Sequence, residues 1–113
     1  MGRTIYVNGR YVPYSEAVVH VEDRGFQFGD AVYEVMEVKD GHLVDETRHM
    51  ARLVRSLDEL AIAQPMSLAA WSRVLRETIR RNRVREGIVY LQVSRGARPR
   101  DFYFPGPDVS PTV

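Results

Sequence analysis

An α+β fold, a mainly antiparallel sheet packed with two helices, is what three features of the 113-residue sequence predict. Asn8-Gly9 and Asp40-Gly41 are hairpin signals, each set between β-prone runs. Ala31–Val38 and Ile88–Ser94 alternate with the strand period of two. Met50–Ala61 and Leu68–Ile79 instead carry apolar residues at helical spacing.

In order, Thr4–Val7 and Arg10–Val12 form the first hairpin, and Pro13 ends its second strand or marks it as an edge. Ala17–Val21 reads as another short strand. The turn-like "EDRG" then leads through "FQFGD" into the long alternating run. Gly25 and Gly29, flanked by Phe26 and Phe28, sit where the chain needs a positive φ or a close backbone approach. In the run itself, Val32, Met36 and Val38 share a face with Glu34, whereas Ala31, Tyr33, Val35 and Glu37 share the other. After Asp40-Gly41 the segment His42–Val44 returns beside it.

The first helix buries Met50, Leu53, Val54, Leu57, Leu60 and Ala61, with Asp45 or Thr47 as candidate N-cap. Pro65 lies in the connection, and Ser67 caps a second helix whose buried face is Leu68, Trp71, Val74, Leu75, Thr78 and Ile79. Arg73, Arg76, Arg80, Arg81 and Arg83 make a solvated face, because a nucleic-acid stripe calls for interleaved aromatics. Glu86-Gly87 turns into the second alternating strand, where Val89, Leu91 and Val93 alternate with Tyr90, Gln92 and Ser94. The loop "RGARPRD" follows, and Pro105, Gly106, Pro107 and Pro111 give the tail the composition of a linker or a disordered end.

This length supports one domain that buries roughly 65% of its unfolded surface. The absence of cysteine excludes disulfides, thiolate metal sites and a cysteine nucleophile. No run of about 18 apolar residues exists, and "MGRTIYVNGR" is not a secretory leader, so a cytoplasmic protein is expected. A net charge of +1 argues against a dedicated nucleic-acid binder. Nearly all basic residues are arginine, suited to holding carboxylates and phosphates; Lys39 is the only lysine.

Three blocks, "RGFQFGDAVYEV", "HMARL" and "VYLQVSRGARPRDFYFP", resemble the class IV, fold-type IV pyridoxal 5'-phosphate (PLP) aminotransferases, D-amino acid transaminases above all. The resemblance implies that residues 1–104 are the small N-terminal domain and 105–113 a Pro/Gly-rich linker toward a C-terminal domain. It also implies a PLP cofactor whose phosphate is held by Arg52, and a substrate pocket walled by Tyr33. Val35 and Glu37, on the same strand face as Tyr33, join that wall. Arg100 is implied to grip the α-carboxylate, with amino acids and 2-oxo acids as substrates, a homodimeric assembly, and no nucleic-acid or membrane partner. No metal ligand is expected.

In this family the lysine that forms the cofactor's Schiff base lies beyond the N-terminal domain. Lys39 stands by a hairpin turn, roughly 20 Å along the strand from Tyr33, so no catalytic residue is expected in this chain, which should be inactive alone. One departure is Phe102, where the D-specific enzymes have histidine; phenylalanine offers no hydrogen bond to a carboxylate. Branched-chain L-amino acid transaminases, aminodeoxychorismate lyases and (R)-amine transaminases share the implied fold. A stand-alone, non-catalytic binding or dimerisation domain is the reading from another class. Taken singly, Arg52 is a helix-surface arginine covering apolar area, His49 a structural or surface histidine, Tyr33 a sheet aromatic, and Arg95, Arg98 and Arg100 a solvated turn.

Overall fold

The structure, a computed structural model, describes residues 2–113. Strands β1 (Thr4–Val7) and β2 (Arg10–Pro13) pair antiparallel across Asn8-Gly9. The turn holds φ values of 48° and 91°, both positive as a type I′ turn requires. The same device at Asp40-Gly41, with φ of 52° and 77°, joins β3 (Ala31–Lys39) to β4 (His42–Leu43). β5 (Gly87–Ser94) runs antiparallel to β3 from Ala31↔Ser94 to Val38↔Gly87. Two sheets result, β1-β2 and β4-β3-β5.

The Ala31–Val38 alternation decides where the core lies. Glu34, Met36 and Val38 are buried, and their face meets α2 (Glu46–Glu59) through Met50, Leu53 and Leu57. Helix α3 (Leu68–Arg81) adds Trp71, Leu75 and Ile79, and β5 adds Val89, Leu91 and Val93. Ser67 caps α3 by accepting from Ala70 N at 3.1 Å. Among the described residues, no helix is long and apolar enough to cross a membrane.

Several local expectations need correcting. Ala17–Val21 is not a strand: a single 3₁₀ turn at Tyr14–Glu16 passes into unpaired chain with Val18, Val19 and Val21 exposed. Valine favours a strand only where a neighbour supplies the ladder, and none lies beside this run. The stretch expected as a loop holds a third helix, α1 (Arg24–Phe28), because Asp23 caps it through Gly25 N at 2.8 Å. Gly29 ends it at φ 66°, whereas Gly25 answers to close approach: a Cβ there meets Ser94 Cβ at 2.9 Å.

Of the two cap candidates for α2, Asp45 takes the N-cap position, with its backbone O accepting from His49 N at 3.1 Å, but its side chain does not cap. Its backbone is left-handed, and Thr47 lies inside the helix. The α2 stripe also stops short, leaving Leu60 and Ala61 exposed beyond its last turn; Leu68, at the start of α3, is exposed too. The Pro/Gly-rich tail returns to the body at its end. Thr112 bridges Ser94, Asn8 N donates to Val113 O at 2.9 Å, and Val113 packs on the core.

Candidate functional site

Tyr33, Val35 and Glu37 share the outward face of β3, as the alternation predicts, opposite Gln92, Tyr90 and Ile88 of β5. Tyr33 and Tyr90 stack with centroids 5.7 Å apart, and the Tyr90 hydroxyl donates to Gln92 Oε1. Tyr33 is 63% exposed and Ile88 67%. This is an aromatic and aliphatic wall ending in one carboxylate, with nothing packed on it among the described residues.

The opposite face of β3 holds an acid that the sequence reading placed but did not explain. Glu34 is buried, and a buried carboxylate requires partners. Arg52, from α2, donates through Nε to Oε2 at 2.8 Å and through Nη2 to Oε1 at 2.9 Å. His49 Nδ1, one helical turn earlier, lies 2.6 Å from Oε1. Burial pushes the Glu34 carboxyl up, but the hydrogen bonds and charges of Arg52 and His49 outweigh it and hold the group below its ordinary value. Those contacts in turn raise Arg52. The Arg52 side chain remains 56% exposed. Of its five N–H donors, those on Nη1 and one on Nη2 are unspent, so its edge is open to a second anion.

A second knot closes the other end of β3. Asp30 Oδ2 accepts from Arg24 Nε at 2.8 Å and Arg95 Nε at 2.7 Å, and Oδ1 accepts from Arg95 Nη2 at 3.1 Å. Arg95 also donates to Ala61 O at 2.9 Å and Leu60 O at 2.6 Å, tying off the end of α2. Arg24 Nη1 reaches Asp101 O at 2.9 Å. Burial raises the Asp30 carboxyl, but hydrogen bonds from Arg95 and Arg24 bring it below its ordinary value. Arg95 is thus a buried clamp rather than part of a solvated turn.

Above this knot, arginines and phenylalanines alternate. The Phe104 ring lies 4.2 Å from the Arg95 guanidinium and 5.7 Å from that of Arg24. Phe28 lies 4.6 Å from Arg24 and 5.3 Å from Arg100, and Phe102 is 4.8 Å from Arg100. Arg100 is therefore held by two rings, and by its backbone N on Glu22 Oε2 at 3.3 Å, while its guanidinium has no hydrogen-bond partner among the described residues. Phe102 supports this cation instead of offering a hydrogen bond. Arg98 stands apart, exposed, 3.9 Å from Asp108.

The candidate residues are therefore distributed, not gathered. Tyr33, Val35 and Glu37 form one surface, Arg52 joins Glu34 on the reverse face, and Arg100 lies beside α1, beyond the Ala31 end of β3. Lys39 faces His42 at the far hairpin. Among the described residues no cluster of three metal-ligating side chains exists. Glu34 was discoverable as an acid on an apolar strand face. Asp30, Arg24 and Arg95 carried no such signal, since they meet only through folding.

The amino-transferase class IV family model matches residues 31–113. D-alanine aminotransferase of Staphylococcus haemolyticus is 36% identical over 109 residues, covering 96% of this chain and 39% of that protein. The enzyme of the same name from Bacillus licheniformis is 41% identical over 109 residues, with 96% and 38% covered. Among solved structures, the branched-chain amino acid aminotransferase of Escherichia coli superposes with a TM-score of 0.90 at 22% identity, over 99% of this chain and 38% to 39% of that one. The 4-amino-4-deoxychorismate lyase of Pseudomonas aeruginosa gives 0.72 at 29% identity, over 95% and 36%. The chain spans about 39% of the length of the curated relatives it matches.

Proposed function

The chain belongs to the amino-transferase class IV family, a PLP-dependent family, and from that premise we propose that it is the N-terminal, substrate- and cofactor-facing part of a D-amino acid transaminase. The complete enzyme moves an amino group between a D-amino acid and a 2-oxo acid, as a cytoplasmic homodimer. Residues 1–104 form the body of its first domain, 105–113 cross it and end against Asn8 and Ser94, and a second domain carries the lysine.

The observation that carries this reading is Arg100: a guanidinium fixed by Phe28 and Phe102 with every side-chain donor unspent. Such a group is ready to take a carboxylate by two parallel hydrogen bonds. Tyr33, Val35 and Glu37 wall the space for the substrate side chain, and their exposure leaves that wall open. The free edge of Arg52 fits a phosphate, while Glu34 fixes its orientation. The bound cofactor supplies the electron sink for the bond broken at the substrate's Cα. No residue here supplies the amine that carries it, since Lys39 stands at the far hairpin.

Replacing Arg100 by alanine in the complete enzyme is the test. KM for D-amino acids is expected to rise about 10- to 150-fold, the worth of a charge-assisted hydrogen bond, with little change for amines lacking a carboxylate. Equal loss on both substrate types makes Arg100 structural.

A further inference from the structure

Glu34 accepts one more hydrogen bond than its arginine supplies. Arg52 meets it edge-on, Nε to Oε2 and Nη2 to Oε1, and His49 Nδ1 adds a third contact, to Oε1 at 2.6 Å. The two partners stand three residues apart on α2, a spacing that puts them on one face of the helix. Met50 and Leu53, one residue beyond each, are buried in the core and hold that face in register with β3. The backbone seats His49 as well, through its N on Asp45 O at 3.1 Å. Glu46, one turn before it, is engaged by Arg76 of α3 at 2.9 Å, which leaves Glu34 as the acid the ring meets. Chemistry then fixes the proton. A carboxylate held below its ordinary value only accepts, so Nδ1 is the ring atom of His49 that carries hydrogen.

We propose that His49 is a positioning residue for the phosphate site: it shares the buried Glu34 carboxylate with Arg52 and so leaves the outer edge of the Arg52 guanidinium free for the cofactor phosphate. The inference rests on the reading above, in which Arg52 holds that phosphate. The physical argument is one of divided demand. A buried carboxylate needs several donors to replace the water it has lost. With His49 in place, Arg52 satisfies it through Nε and one proton of Nη2, and its side chain remains more than half exposed. Without the imidazole donor, Oε1 keeps only the Nη2 contact. The guanidinium is then drawn toward the acid, and its outward edge tilts away from the ligand. Bidentate pairing with a phosphate tolerates little tilt, because the two N–H bonds must stay parallel. The role needs no charge on the ring: a neutral imidazole with hydrogen on Nδ1 performs it.

Two substitutions in the complete enzyme separate this donor from packing and from charge. His49→Leu keeps the bulk and loses the donor. His49→Asn places an amide N–H on Cγ, where Nδ1 stood, cannot titrate, and has a similar helix propensity. PLP affinity, read by fluorescence titration, is expected to fall about 3- to 10-fold in His49→Leu and to stay within about twofold of the parent in His49→Asn. In the Arg52→Ala background His49→Leu should cost nothing further, since its effect runs through that arginine. Nitrogen NMR of the His49 ring at about pH 8, above the ordinary imidazole range, should find hydrogen on Nδ1. An affinity unchanged in His49→Leu overturns the proposal, as does an Asn variant no better than Leu. The same fold loss with and without Arg52, or hydrogen on Nε2, does so too. Arg52→Ala that leaves PLP affinity intact breaks the reading of Arg52 as the phosphate ligand, and the role of His49 with it. Affinity lost in Arg52→Ala but kept in His49→Leu removes this inference alone.

Discussion

Two carboxylates four residues apart, Asp30 just before β3 and Glu34 within it, are each clasped by two basic side chains, yet they end in different roles. Around Asp30 the knot is closed: both arginines are buried, further donors reach the carbonyls of Leu60, Ala61 and Asp101, and the rings of Phe28 and Phe104 cover the guanidinium groups. Around Glu34 the acid is equally buried, but Arg52 keeps its outer edge in solvent. A closed pair shapes the chain, whereas a half-open one can hold a ligand and fix its geometry at the same time. Burial of the acid is common to both; exposure of the base separates them.

The largest effect expected from breaking this contrast is at Asp30. Asp30→Ala leaves two buried guanidinium groups facing each other without a counter-charge and should cost about 3–5 kcal/mol of stability, read by urea denaturation. Glu34→Ala should cost clearly less, because Arg52 can turn to water. Equal losses erase the distinction.

Next comes Arg52. Arg52→Ala should lower the melting temperature of the chain less than Asp30→Ala does, because His49 still meets the buried Glu34 carboxylate, while lowering PLP affinity of the complete enzyme about 10- to 100-fold, the range for charge-assisted contacts to a phosphate. Fluorescence titration of the cofactor checks it. A large fall in melting temperature with unchanged affinity makes Arg52 a structural clamp like Arg95.

Acid sharpens the comparison further. Both carboxyls lie below their ordinary values in the folded chain. Their contribution is therefore complete above the unfolded values of about 3.9 for Asp and 4.3 for Glu, and is lost as pH falls through the folded ones. Melting temperature should be level from about pH 7 to 5 and drop below about pH 4. Glu34→Gln should remove part of that slope and leave the share due to Asp30. A slope unchanged in Glu34→Gln means the pair contributes nothing to acid sensitivity.

The smallest effect concerns the wall. Glu37 shares the outward face with Tyr33 and Val35. Its repulsion of an acidic substrate side chain, about 2 kcal/mol at 8 Å with an effective dielectric of 20, is reduced by salt and exposure to a few-fold in rate. The complete enzyme should favour D-alanine over D-glutamate in kcat/KM, and Glu37→Gln should narrow that ratio. An unchanged ratio places Glu37 outside the pocket.

The sequence by itself determined what depends on neighbours along the chain. Asn8-Gly9 and Asp40-Gly41 specified both hairpins because only a few residues take positive φ at both turn positions. The alternation from Ala31 placed Tyr33, Val35 and Glu37 together and Glu34 with the core, because the strand period is fixed by backbone geometry. The helical stripes located α2 and α3 within a few residues. Tertiary structure decided the rest. Ala17–Val21 has strand composition but no partner, and pairing is a property of two segments rather than one. Arg95 and Arg100 sit in the same arginine-rich loop and look alike in sequence; the distant Asp30 buries the first, while Phe28 props the second at the surface. The tail has the composition of a linker, yet Asn8 and Ser94 hold its end, since a strand edge recruits whatever extended backbone lies beside it.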